Sequence, residues 1–223
     1  YDMLAGRQGF GRSKHLNRSE TMKHLPTNDT DWLRGGIIYY DGQFDDARLA
    51  VNMAQTFVEQ GGTALNYMKV TDLKKTDQGV VTGVEAECQE TGSQYSIDAK
   101  AVINATGIFT DSIRQMDDPD AHTTLRPSQG THLVLDRSFL PGDAAIMIPK
   151  TDDGRVLCAI PWNDRVVVGT TDEEVEGPEL EPRPMPEEID FLLEHAGRYL
   201  TKDPTADDVL SAFAGIRLVL REL

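Results

Sequence analysis

The feature that most constrains the fold is a series of short strand-like runs in the second half of the chain. Four of them, THLVLD (131–136), AAIMIPK (144–150), RVLCAIPW (155–162) and RVVVGTTD (165–172), are rich in apolar and β-branched residues. Turn-forming residues separate them, and runs this short and this close together pair in antiparallel order. A fifth run, VLSAFAGIRLVL (209–220), closes the chain. The pattern predicts a largely antiparallel sheet.

The first half of the chain mixes helix and strand signals. Ser19 is placed to cap a short helix, and apolar residues recur at helical spacing over 45–60, where a glycine pair follows. Residues 63–98 are typical of an antiparallel meander with tight turns. The run AKAVINATG (99–107) is typical of a buried strand that ends on a glycine turn before a helix. With a further amphipathic helix over 187–200, the predicted fold class is α/β, with α+β character in part.

Composition and charge exclude several function classes. The formal net charge is -15, which argues against a nucleic-acid partner because binding phosphates requires a basic face. No apolar run reaches about 18 residues, so no transmembrane helix is predicted. Cys88 and Cys158 have no metal-binding or redox spacing and each lies in a strand-like run. They are interpreted as buried free thiols in a reducing compartment, and no metal site is predicted.

The first motif that can carry chemistry is VINATG (102–107). Small residues at the end of a buried strand let another group approach the backbone closely. Ligands of nucleotide-binding α/β folds sit at the carboxyl ends of such strands. The alternative is a tight strand-to-helix turn with no ligand, and the residues alone leave both interpretations open.

The second motif is SQGTHLVLD, in which His132 lies early in a strand. An imidazole titrates near neutral pH and can accept a proton from a hydroxyl group. The alternative is a structural histidine that forms ordinary hydrogen bonds. The remaining four histidines lie in polar contexts and are predicted to be surface residues: His15, His24, His122 and His195.

The third motif is AGIRLVL, in which Arg217 interrupts an apolar strand. Burying an unpaired guanidinium group is unfavourable, so Arg217 needs either an anionic ligand or a carboxylate partner. The same choice between an anionic ligand and a carboxylate partner applies to Arg126, in LRPSQG, although the pattern around it is less distinctive.

Several common nucleotide and hydrolase motifs are not found. The stretch GRQGFG (6–11) has the wrong spacing for a dinucleotide-binding turn and follows a helix-like segment. The chain also contains no P-loop, no GxSxG and no HExxH. A phosphate-binding loop, if the enzyme uses a nucleotide cofactor, must lie outside this chain.

Taken together, five stretches resemble the FAD-dependent glycerol-3-phosphate dehydrogenases of the D-amino-acid-oxidase-like flavoprotein superfamily. They occur in the order and at the approximate spacing of that family, across nearly the whole chain. The stretches are GGIIYYDGQFDDARLA (35–50), AKAVINATG (99–107), RPSQGTHLVL (126–135), VLCAIPWNDRVVVGTTDEE (156–174) and AGIRLVL (214–220).

The resemblance implies a flavoprotein that oxidises glycerol 3-phosphate to dihydroxyacetone phosphate, with hydride transfer to FAD and electrons passed to a quinone. It implies that His132 is the catalytic base and that Arg217, with Arg126, binds the substrate. The cofactor-binding residues that it implies are Val70, Ala105, Thr106 and Gly107.

The resemblance also implies a domain organisation. Residues 36–119 would belong mainly to an incomplete Rossmann-like FAD-binding domain, without its Gly-rich N-terminal segment. Residues 1–35 and 120–223 would form mainly the substrate-binding domain. The family has a proline after the substrate arginine, whereas Leu218 follows here, so the strand end lacks the stiffness that proline would give it.

The chain begins within a helix-like stretch, YDMLAG, and ends just past an apolar run, so we expect an internal fragment of a larger enzyme. We expect the fragment alone to be inactive and to retain no FAD. The parent is expected in the cytoplasm or peripherally on the cytoplasmic membrane. Two alternatives remain: a flavin amine oxidase like D-amino-acid oxidase, and a non-catalytic binding module.

Overall fold

The computed structural model describes residues 6, 9–25, 30, 33–148, 151 and 154–220. Contacts within the chain divide it into two compact units. Unit one comprises residues 1–41 and 125–223, and unit two comprises residues 42–124. These limits differ by a few residues from the predicted domain limits, and the assignment of FAD and substrate to the two domains stays a prediction.

The chain contains four α-helices and eleven strands within the described residues. The helices are α1 (Arg18–His24), α2 (Asp46–Glu59), α3 (Thr110–Asp117) and α4 (Pro186–Gly197). The strands of unit two are β3 (Met68–Lys75), β4 (Val81–Cys88) and β5 (Gln94–Asp98). The strands of unit one are β1 (Lys14–Asn17), β2 (Gly35–Ile38), β6 (Leu125–Asp136), β7 (Ile146–Ile148), β8 (Leu157–Trp162), β9 (Arg165–Gly169), β10 (Glu173–Glu174) and β11 (Ser211–Leu220).

Unit one is organised around a six-stranded sheet, which confirms the predicted antiparallel arrangement. Its order is β10-β6-β9-β8-β7, and β11 pairs with the other side of β6. Every pair in this sheet is antiparallel. The long strand β6 therefore lies at the centre, with β9 and β10 along one edge and β11 along the other.

The core of unit one lies between one face of this sheet and helix α4. Alternate residues of β6, among them Leu133 and Leu135, are fully buried, and so are Val166 and Val168 of β9. Leu192 of α4 packs against them in the same buried cluster. Because strand side chains alternate between the two faces, the opposite face of β6 points away from this core.

Unit two consists of the antiparallel sheet β3-β4-β5 with helices α2 and α3. The meander and the helix predicted over 45–60 are confirmed. Asp45 caps α2 by accepting a hydrogen bond from the Arg48 amide at 2.9 Å. The amides of Gly61 and Gly62 bond back to the last helical turn, as in a Schellman motif. No residue of α2 is buried in the described structure, so its apolar stripe is exposed.

One predicted element is wrong. The run AKAVINATG, expected to form a buried strand, lies outside any helix or strand up to the short 3-10 turn at Gly107–Phe109. Its Ile103 side chain is 86% exposed. A strand needs a neighbour to satisfy its backbone hydrogen bonds, and no strand of the described residues pairs with this segment. The helix expected after it is confirmed as α3.

Two local predictions are also wrong. Asn17, and not Ser19, caps α1, because its side chain accepts from the Glu20 amide at 3.0 Å. Glu20 accepts from the Asn17 amide in return, which completes a capping box. His195, predicted at the surface, is buried, and its ring stacks on Phe191 at a centroid distance of 4.1 Å.

The helix-like stretch YDMLAG and the last three residues of the chain lie outside the described residues, apart from Gly6. Within the described part of the chain, the search for a helix with the length and apolarity needed to cross a bilayer found none.

The packing of β6 generates a test of the fold. Replacing Leu133 by alanine leaves a cavity between the sheet and α4, and we expect the free energy of unfolding to fall by about 3 kcal/mol. Leu180, which is 85% exposed, provides the control, and its alanine variant should unfold like the wild type. Urea unfolding measures both values, and equal stability of the two variants would contradict the described core.

Candidate functional site

The face of the six-stranded sheet that points away from α4 carries the predicted catalytic histidine. The register places five residues directly opposite one another across five strands. They are Phe213 of β11, His132 of β6, Gly169 of β9, Cys158 of β8 and Met147 of β7. Residues directly opposite in antiparallel pairs share a face, so His132 lies within a continuous row on this open face.

The imidazole of His132 is positioned by its two neighbours in this row. Its ring stacks on the Phe213 ring, with centroids 5.1 Å apart and an interplanar angle of 7°. On the other side it covers Gly169, where an added Cβ would lie only 2.3 Å from the ring. Only glycine leaves room for the imidazole in this orientation.

The alternative that His132 is a structural histidine requires hydrogen bonds to its ring, and the described residues provide none. Neither ring nitrogen has a hydrogen-bond partner among the described residues, although the side chain is only partly buried. Burial lowers the pKa of His132 below its ordinary value, and the positive charge of Arg217 lowers it further. The lowered pKa favours the neutral imidazole at neutral pH, and its unprotonated ring nitrogen can accept a proton.

Arg217 lies in β11 on the same face, four residues beyond Phe213. Its Nη2 donates to the carbonyl oxygen of Thr171 at 2.7 Å and to Oδ1 of Asp172 at 3.2 Å. The Ser128 hydroxyl donates to the same Asp172 oxygen. The guanidinium group is thus paired, as the ion-pair alternative required. Its side chain is nevertheless 49% exposed, and Nη1 and Nε have no partner within the described residues.

The guanidinium group of Arg217 lies nearer to His132 than the register alone suggests. An added Cβ on Gly130 would be 3.4 Å from Arg217 Nη2, so the side chain lies beside that glycine. Gly130 and His132 are two residues apart in β6, which corresponds to roughly 7 Å along a strand. Opposite Gly130, the position of Gly215 has no heavy atom within 4 Å of an added Cβ. Open space therefore lies beside the two candidate residues.

Arg126 lies on the same open face of the sheet, but not beside His132 and Arg217. Its Nη1 is 3.7 Å from Oε2 of Glu174, and both side chains are more than half exposed. Six residues of strand separate Arg126 from His132, roughly 20 Å between their Cα atoms. The structure does not bring Arg126 next to the His132 imidazole. The strand itself continues regularly past Arg217, with Leu218 opposite Pro127.

A buried polar cluster behind this face escaped the sequence predictions. Glu188 of α4 accepts hydrogen bonds from the hydroxyl groups of Thr171 and Thr131, the Gln129 amide group and the Met185 backbone amide. Burial alone would raise the pKa of Glu188, but these four donors together lower it below its ordinary value. Glu188 is one of many acidic residues between 172 and 194, so nothing in the sequence marked it as buried.

Three predicted cofactor residues lie in the turn before α3 of unit two. Ala105 and Thr106 are exposed. Asn104 holds the turn, since its Oδ1 accepts from the Thr106 hydroxyl at 2.8 Å and its Nδ2 donates to the Thr110 carbonyl at 3.0 Å. Gly107 has a φ of 57°, and an added Cβ would meet no atom within 4 Å. The backbone of this turn is accessible to another group.

Val70, the fourth predicted cofactor residue, lies in β3 opposite Ala86 of β4. The register shifts immediately after it, at a β-bulge. No hydrogen bond of the described residues joins Val70 to the turn at 105–107. That Val70 and the turn at 105–107 bind the same cofactor therefore stays a prediction.

Neither cysteine takes part in a disulfide, and both are half-buried. Burial raises the pKa of the Cys158 thiol. In the part of the chain that the structure describes, no three His, Cys, Asp or Glu side chains are grouped to hold a metal ion.

Comparison with known proteins identifies similar chains. The sequence profile of the family described as DAO, FAD dependent oxidoreductase, matches residues 1–222. The human mitochondrial glycerol-3-phosphate dehydrogenase is 41% identical over 224 residues, which cover 97% of this chain and 31% of the relative. The probable mitochondrial glycerol-3-phosphate dehydrogenase of Caenorhabditis elegans is 37% identical over 225 residues, covering 100% of this chain and 31% of the relative.

A solved structure is also similar. The glycerol-3-phosphate dehydrogenase from Bacillus halodurans complexed with FAD matches with a TM-score of 0.84 and 36% sequence identity. The match covers 93% of this chain and 42% of that chain. The chain spans about a third of the length of the two curated relatives.

The position of Arg217 generates a test of the site. Replacing it by glutamine removes the positive charge facing His132, so we expect the pKa of His132 to rise. It should stay below that of a free histidine, because burial is the larger cause of the lowering. NMR titration of the histidine ring signals measures the change, with Arg126→Gln as the control. An unchanged pKa in the Arg217 variant would contradict the described geometry.

Proposed function

Because the chain belongs to the family of FAD dependent oxidoreductases, we propose that it forms part of an enzyme that oxidises sn-glycerol 3-phosphate to dihydroxyacetone phosphate. The dehydrogenase names of the relatives support this substrate. The observation that carries the proposal is the pairing of a neutral imidazole and a guanidinium with free donors on one open face. The two groups supply a proton acceptor and an anion-binding group within reach of one small molecule.

The spacing of the two groups fits the proposed substrate. In glycerol 3-phosphate, one methylene and one ester oxygen separate the reacting carbon from the phosphorus. A hydrogen bond at each end lets such a molecule span from His132 to the Arg217 guanidinium group, which lies beside Gly130, two residues along β6 from His132. A substrate with its charge much farther from the hydroxyl group would not reach both residues.

His132 acts as the general base in this proposal. A free ring nitrogen accepts the proton of the C2 hydroxyl, and the lowered pKa keeps the imidazole neutral and ready to accept it. Phe213 and Gly169 fix the ring orientation, so the accepting nitrogen does not have to be ordered during the reaction. The proton then leaves to solvent, to which the half-buried ring has access.

Arg217 binds the phosphate group. The free Nη1 and Nε donors form charge-assisted hydrogen bonds, whereas Nη2 stays engaged with Thr171 and Asp172. Arg126 provides further positive charge at the edge of the same face.

The turn at Ala105–Gly107 fits the role of a flavin contact, because its backbone is exposed and Gly107 has no side chain in the way. Together with Val70, these residues would hold FAD, which supplies an acceptor for two electrons when it is bound. In this proposal unit two contributes to the cofactor domain and unit one to the substrate domain.

A quinone is the proposed final electron acceptor, because electrons must leave the reduced flavin after each turnover. The enzyme would then work in the cytoplasm or peripherally at the cytoplasmic membrane, and a lipid-soluble acceptor favours the membrane surface. Comparing a quinone-type dye with molecular oxygen as acceptors tests this part. Preferential use of oxygen would point to an oxidase instead.

The role of His132 is tested in the natural gene product loaded with FAD. Replacing His132 by glutamine removes the proton acceptor, so we expect kcat with glycerol 3-phosphate to fall by roughly 10² to 10⁴. His15→Gln, at an exposed histidine, is the control and should keep wild-type turnover. Unchanged turnover in the His132 variant would falsify the assignment of the base.

The role of Arg217 is tested with the same protein. Arg217→Gln should raise KM for glycerol 3-phosphate roughly ten- to hundredfold, because a hydrogen-bonded charge pair with the phosphate is lost.

A panel of D- and L-amino acids tests the amine oxidase alternative, since a guanidinium group also binds carboxylates. Turnover of amino acids but not of glycerol 3-phosphate would favour that alternative.

A further inference from the structure

Glu188 occupies an unusual position for a carboxylate. It lies in the first turn of α4 against the buried face of the sheet and is 2% exposed. Oε1 accepts from the Thr171 hydroxyl at 2.5 Å, and Oε2 accepts from the Thr131 hydroxyl and the Gln129 amide group at 2.8 Å each. These three side-chain partners come from β6 and from the loop that follows β9.

The partners of Glu188 connect the buried face of the sheet to the open one. Thr171 donates its hydroxyl to Glu188 on one side, and its carbonyl oxygen accepts from Arg217 Nη2 at 2.7 Å on the other. The next residue, Asp172, accepts from the same nitrogen. Thr171 also accepts from the Thr131 amide at 2.7 Å, which ties the loop to β6 next to His132.

Packing alone does not explain an acidic residue here. Burying a carboxylate carries a large desolvation penalty, and an apolar side chain of similar size would fill the same space without that penalty. With its hydrogen bonds complete, the cluster gains directionality that an apolar contact lacks, because each donor must point at an oxygen. For Arg217, the consequence is that the Thr171 carbonyl group, which accepts its hydrogen bond, is held in one orientation.

We propose that Glu188 is a positioning residue for substrate binding: through Thr171 it fixes the loop whose carbonyl group and carboxylate orient the Arg217 guanidinium. The inference rests on the proposed role of Arg217 in binding the substrate phosphate. Glu188 also accepts from the Met185 amide at 2.9 Å and so caps α4. The alternative is that Glu188 only caps the helix, and the experiment must distinguish this structural role from the positioning role.

The experiment measures equilibrium binding of inorganic phosphate to the natural gene product with FAD bound, by titration calorimetry. Glu188→Gln keeps the size of the side chain but turns an amide group toward hydrogen-bond donors. Thr171→Val removes the connecting hydroxyl group, which also accepts from the Thr131 amide, and leaves the bond between Glu188 and the Met185 amide that caps the helix. Thr171→Ser restores that hydroxyl group, and Glu187→Gln, at the exposed neighbour in α4, is the matched charge control.

We expect Glu188→Gln and Thr171→Val each to weaken phosphate binding about tenfold, whereas Thr171→Ser and Glu187→Gln bind like the wild type. In an Arg217→Gln background, neither substitution should weaken binding further, since the group that they position is gone. KM for glycerol 3-phosphate should rise by the same factor as the phosphate dissociation constant.

Three other results would overturn the inference. If Thr171→Val binds phosphate normally, or if its loss persists undiminished in the Arg217→Gln background, the cluster is only structural. Thr171→Val decides this even where Glu188→Gln does not fold. If Arg217→Gln itself binds phosphate like the wild type, the proposed anion site is wrong, and the inference fails with it.

Discussion

The antiparallel pairing of β6 with its neighbours is the constraint on which the rest of unit one depends. Alternation along this strand sends Leu133 and Leu135 into the core and His132 to the open face. A slip of one residue would exchange the two sets and bury the imidazole in place of the leucines. The hydrophobic core therefore fixes which residues lie on the open face, so the stability of unit one and the proposed chemistry depend on the same register.

The strands and helices of this chain were largely predictable, because their signals are local. Asp45 and the glycine pair delimit α2, and the apolar runs of the second half became β6 to β9 and β11. The prediction failed for residues 99–107, which have the composition of a strand. Composition describes what a segment could bury, whereas a strand also requires a neighbour, and the described residues supply none.

The sequence singles out the candidate residues of the site but does not predict that they lie close together. Arg217 stands out from the sequence because it interrupts an apolar run, and His132 because it lies at the start of one. Their proximity depends on the pairing of β6 with β11, across about 85 residues of chain, which no local pattern encodes. Glu188 and His195 were missed for a related reason: their burial follows from how α4 packs on the sheet.

The glycines of the open face show why the reactive residues sit where they do. A side chain at Gly169 would displace the His132 ring, and one at Gly130 would meet the Thr170 hydroxyl at 2.4 Å. Neither glycine has a positive φ, so backbone conformation does not require glycine at these positions. What each glycine provides is space for the side chain beside it. The sheet supplies rigidity through its hydrogen bonds, and the absent side chains leave the space in which the proposed substrate would lie beside the imidazole and the guanidinium group.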